Sequence, residues 1–80
     1  MTLIATEDYL TELLSEMSEA FHKFSIEAVR LSALLARTKV PVSPESNYEL
    51  RKQSVAEVQA FEEYLNRKEE IFAHLKVESR

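Results

Sequence analysis

Lys39-Val40-Pro41-Val42-Ser43-Pro44-Glu45-Ser46 holds both prolines of the 80-residue chain and lies close to its middle. Proline has no amide hydrogen and pushes the residue before it out of helical geometry, so a helix arriving from upstream must stop here. The same stretch carries a start signal. Ser43 can cap a helix that opens on Pro44, while Ser46-x-x-Glu49 offers a capping box three residues later. Both starts are open at this level. The stretch therefore predicts a linker over about residues 39–43 between two long segments of similar length.

Working upstream, Leu10, Leu14, Met17, Phe21, Phe24, Ala28, Leu31 and Leu35 follow one another in alternating steps of four and three. Such a heptad seam predicts a helix over about residues 7–38. Thr6 is its expected cap, Glu7 and Asp8 suit the positive end of the helix dipole, and Arg37 and Lys39 suit the other. Downstream, Val58, Phe61, Leu65, Phe72 and Leu75 continue a seam, with Lys68 at one inward position and Leu50, Tyr64 and Ile71 flanking it. Towards the linker the seam weakens to Arg51 and Ser54. The second helix is expected over about residues 44–76. Two rods of about 45–50 Å joined by a short linker should pack antiparallel. The expected fold is all-α, one domain over residues 1–80 forming a two-helix antiparallel hairpin.

Composition narrows the function. The chain has no glycine, cysteine or tryptophan. Without glycine it lacks the phosphate-cradling loop, the dinucleotide fingerprint and the nucleophile elbow, and without cysteine it has neither disulfides nor thiolate metal ligands. With 30% charged and 45% hydrophobic residues it is too apolar for a disordered tail and too charged for a bilayer. Met1 to Asp8 has no basic flank before an apolar run, so no secretory signal is expected. A net charge of −4 argues against nucleic acid as a partner. A cytoplasmic protein with no membrane contact and no cofactor is the expectation.

Two helices touching along one seam cannot bury enough. Ordering roughly 80 residues at about 1.5 kcal/mol each demands several thousand Å² of apolar burial. The shortfall predicts association with another chain, first of all a homodimer that closes a four-helix bundle. Its expected core is Leu10, Leu14, Met17, Phe21, Phe24, Leu31, Leu35, Val58, Phe61, Leu65 and Phe72. Ile26, Val29, Ala33 and Ala36 lie on the back of the first helix and form a candidate face for a different protein partner. Thr11, Ser18, Ser25 and Ser32 recur every seven residues beside the seam, a small and mildly polar border. Charge is segregated too. Residues 1–22 carry five acids and no base, a net −5, whereas residues 23–52 carry +3 and residues 53–80 carry −2. A rod positive at its loop end and negative at its open end favours antiparallel self-association.

Few residue groupings point to chemistry. Glu19-x-x-His22 has the spacing of a carboxylate-bridged metal site, and Glu62, Glu63, Glu69 and Glu70 could supply further ligands. If Met17 and Phe21 face inwards, however, Glu19 and His22 face outwards, so they are surface residues first and metal ligands second. His74 and Glu70 are expected to form a helix-surface pair. No serine has a histidine and an acid in a catalytic order. All-helical chorismate mutases need several inward basic groups around one pocket, and here Arg51 and Lys68 alone fall on inward positions, near opposite ends of their helix. A non-enzymatic interaction or adaptor protein is the resulting expectation. In length and hairpin layout the chain also resembles small type III secretion components, among them needle subunits and small chaperones. That architectural resemblance implies an alternative: an obligate subunit or co-chaperone of a heteromeric assembly.

Overall fold

A computed structural model describes the backbone of residues 2–78 and the side chains of residues 8–75. The described residues form two helices and no strand: α1, Thr2–Arg37, and α2, Pro44–Glu78. They lie side by side in a hairpin about as long as one helix, with extents of 62 × 17 × 14 Å. Antiparallel pairing is fixed by contacts along the rod, with Tyr9 against His74, Phe24 against Phe61 and Gln53 against Glu27.

The linker does what its residues dictate. At the end of α1 the Thr38 amide donates to the Leu35 carbonyl at 3.2 Å and its hydroxyl to the Leu34 carbonyl at 2.7 Å. Two carbonyls that would otherwise lack intrahelical donors are thereby satisfied. Lys39, Val40 and Pro41 then leave helical geometry. Of the two starts open for α2, the Ser43 start is used. Its hydroxyl accepts from the Ser46 amide at 3.1 Å and its carbonyl accepts from the Asn47 amide at 2.9 Å. Pro44 is then the first helical residue, where its missing amide hydrogen costs no helical bond.

The outer ends differ from expectation. α1 starts at Thr2 rather than near Glu7, so the chain is already helical where Thr6 was expected to cap it. The reason is an absence of breakers, because residues 2–6 contain neither proline nor glycine and Thr6 is tolerated inside a helix. The side chains of Thr6 and Glu7 lie outside the described residues. α2 likewise runs to Glu78 rather than Lys76.

Packing between the helices follows a line adjacent to the one expected. On α1, Leu10, Leu13, Met17, Ala20, Phe24, Glu27, Leu31 and Leu34 are buried or half-buried and follow 3-4 spacing. Thus Leu13 and Ala20, 4% and 3% exposed, replace Leu14 and Phe21 at the contact. On α2 the line is Leu50, Gln53, Glu57, Ala60, Tyr64, Arg67, Ile71 and His74, each one residue before the expected seam. Ile71, expected at the flank, is only 4% exposed. A shift of one residue turns a helix by about 100°. Val58, Phe61 and Phe72 of α2 therefore lie beside the contact, while Leu50, Tyr64 and Ile71 lie in it.

These assignments set two expected results. Ser43→Ala should cost about 1 kcal/mol of stability while Ser46→Ala stays within about 0.5 kcal/mol, as read from urea unfolding. Ile71→Ala should cost about 2–4 kcal/mol. Equal losses at the two serines would place the α2 cap elsewhere.

Candidate protein-interaction site

The inter-helix line is apolar along most of α1 and mixed on α2, where Gln53, Glu57, Arg67 and His74 share it with Leu50, Ala60, Tyr64 and Ile71. Ala20 and Ala60 let the helices approach at mid-rod, and the carboxamide of Gln53 crosses to Glu27, donating to its carboxylate at 2.8 Å and its carbonyl at 3.1 Å. Arg67 reaches Glu16 at 3.4 Å and Glu70 at 3.3 Å. With more than a third of the Arg67 side chain exposed, these ion pairs orient the helices more than they stabilise them.

The two flanks of the line are unlike. On one, Glu16, Lys23, Arg30 and Arg37 of α1 run beside Glu70, Glu63, Ala56 and Glu49 of α2, and the shallow depressions there bring Lys23 near Glu63 and Arg37 near Glu49. The other flank is aromatic and aliphatic. Phe21 packs at a tilt against Tyr64 with ring centroids 5.3 Å apart and Phe24 likewise against Phe61 at 5.1 Å, and the same rings meet along each helix at 6.3 Å. From this cluster the face continues through Leu14 and Phe72 towards the open end and through Val58 and Leu35 towards the loop. Phe21 is 50% exposed and Phe72 60%.

Most of the expected bundle core lies on this face. Leu14, Phe21, Leu35, Val58, Phe61 and Phe72 are exposed on it, Leu65 is half-buried beside them, and Leu10, Met17, Phe24 and Leu31 form its inner edge against α2. Sequence reasoning missed Leu13, Ala20 and Ile71 as the buried contacts. Their 3-4 spacing was present, but the same line contains Glu27 on α1 and Gln53, Glu57 and Arg67 on α2, which an apolar template rejects.

Other expected sites fall elsewhere. Ile26, Val29, Ala33 and Ala36 are exposed on the outer side of α1, Val29 at 67%, next to Lys23 and Arg30. Glu19 and His22 are exposed there too, in a depression lined by α1 alone, and no group of three or more potential ligands is formed among the described residues. Arg51 and Lys68, expected inward, are both exposed, because the α2 contact line passes through Leu50 and Arg67 instead. His74 does not pair with Glu70 at the surface. Its ring is half-buried edge-on to Tyr9 at 5.3 Å with Nε2 lacking a hydrogen-bond partner among the described residues, and Glu70 turns to Arg67. The contact line passes through position 74, which carries the imidazole in between the helices. None of the described helices is long and apolar enough to cross a membrane.

The overall dimensions match this division. The accessible surface is 6487 Å², against about 5,000 Å² expected for a compact monomer of 9.3 kDa. The radius of gyration is 18.1 Å, against about 12 Å for a compact 80-residue domain. In comparison with known proteins, no family model matches the chain, and neither a curated protein nor a solved structure matches it.

Glu19→Gln and His22→Asn should each change stability by less than about 0.5 kcal/mol, as exposed side chains do. Metal analysis after incubation with iron, manganese or zinc should find no stoichiometric ion. A stoichiometric metal lost in either variant would make this pair a ligand set.

Proposed function

We propose that the chain is a non-enzymatic association module whose aromatic flank is covered by a second copy, closing a four-helix bundle. The back of α1 remains free in that bundle to meet a different protein. One observation carries the reading: beside the line of contact, large apolar residues of both helices, Leu14, Phe21, Leu35, Val58, Phe61 and Phe72, share one exposed flank. A helix pair that was complete by itself would have the opposite arrangement, since burial of large side chains stabilises a fold by about 1.5–3 kcal/mol each.

The area supports the same reading. The hairpin exposes roughly 1,500 Å² more than a compact molecule of its mass, and two such hairpins together match the 2,000–5,000 Å² that obligate homodimers bury. Ile26 and Val29 support the adaptor role, because they lie on the side of α1 away from the flank and stay exposed when the flank is covered. Acid–base or nucleophilic chemistry has no comparable support. The exposed acids are spread along the rod, and among the described residues no serine is hydrogen-bonded to a histidine.

Light scattering across a dilution series tests the proposal. A stable mass near twice 9.3 kDa is expected, with Phe72→Asp raising the dissociation constant at least thirty-fold, the equivalent of about 2 kcal/mol. Because Phe72 is 60% exposed in the hairpin, its loss should act on association more than on hairpin packing. Phe21→Asp should dissociate the bundle as well, and the double change Ile26→Glu with Val29→Glu should leave the mass unchanged. A folded, cooperatively melting monomer at nanomolar concentration would overturn self-association. A chain that is poorly helical alone at every concentration would instead favour an obligate subunit of a heteromeric assembly.

A further inference from the structure

We infer that the second copy lies antiparallel to the first, loop end over open end, so that α1 stacks on α1 and α2 on α2. The inference rests on the reading of the aromatic flank as a self-association face and adds the orientation that this reading leaves open. Only two symmetric arrangements bring the flank against itself. A two-fold axis along the rods keeps the hairpins parallel and lays α1 over α2 of the other copy. A two-fold axis across the rods reverses one hairpin and lays like helix on like helix.

Charge separates the two. Residues 1–22 carry −5 and residues 23–52 carry +3, so the open end is acidic and the loop end basic. Parallel stacking sets loop end on loop end, with the exposed Arg51 of both copies at the same level. Antiparallel stacking sets the basic loop end of one copy at the level of the acidic open end of the second, an arrangement that is attractive at both ends of the rod.

Side-chain size gives an independent reason. Phe21 and Tyr64 meet near the middle of the rod, which places Phe21 on α1 and Leu65 on α2 beside a crosswise axis. Leu14 and Ala28 each lie seven residues from Phe21, and Val58 and Phe72 each lie seven from Leu65. Reversal therefore sets Leu14 against Ala28 and Phe72 against Val58, large against small at each level, as close packing requires. It also brings Lys68, the exposed cation of this flank near mid-rod, over the half-open ring of Phe61 in the second copy, where an ammonium is favoured. In the parallel arrangement Phe72 meets Leu14 and Lys68 meets Ser18, so the large residues crowd one end and the cation has no aromatic face.

Because the chain has no cysteine, one nitroxide can be placed at a time, through Thr11→Cys, Ser18→Cys or Ser32→Cys. All three positions are exposed, so labelling does not disturb the helix contact. Dipolar distances are then measured by pulsed electron paramagnetic resonance on protein whose dimeric mass has been confirmed. For the antiparallel dimer the axial offset is about 30 Å at Thr11 and Ser32 and about 10 Å at Ser18, from a rise of 1.5 Å per residue. Long distances at the two outer positions with a short one at Ser18 support the inference. Equal distances at all three overturn it while leaving self-association intact. A monomeric mass removes both.

Discussion

The seam between the two helices is interrupted on α2 by polar residues that displace its larger apolar neighbours to one side, and the other features follow from that. Ala20 and Ala60 bring the backbones close, while Gln53 and Glu27 occupy with a hydrogen bond a level where a heptad core would place leucines. A polar pair of this kind fixes register, because any slip along the rod would leave a carboxamide and a carboxylate facing apolar neighbours without partners. It contributes little burial. The large residues displaced to one flank, Phe21, Val58, Phe61 and Phe72 among them, stay 40% exposed or more in the hairpin.

This displacement gives the hairpin two chemically distinct sides. One side carries opposed charges on its two helices and is content in water. The other is a strip of rings and aliphatic groups running along both helices, with an alternation of large and small residues about the middle of the rod. The division also explains the isolated polar groups. Arg67 reaches out of the contact line to Glu16 and Glu70, and His74 closes the open end against Tyr9. They hold the two helices in register.

Much of this was legible in residue order. The two prolines and Ser43 set the linker and the start of α2, and 3-4 spacing announced both helices. The same spacing named nearly all the residues of the exposed flank, since a bundle core is read from its largest apolar positions. What spacing could not show was which of two neighbouring lines the helices would use against each other. Leu10, Met17, Phe24 and Leu31 belong to both lines on α1, and the choice between Leu13 with Ala20 and Leu14 with Phe21 turns on how near two backbones come, a quantity absent from a single chain read in order.

Residue order by itself determined two long helices, a break between them, an acidic open end and a basic loop end, because breakers, caps, periodicity and charge act locally or add along the chain. Tertiary structure alone decided that α2 turns by one residue, that Ile71 rather than Phe72 is buried, and that His74 lies between the helices. The physical reason is that two helices can meet along either of two neighbouring lines of residues, and only the packed pair shows which one they use.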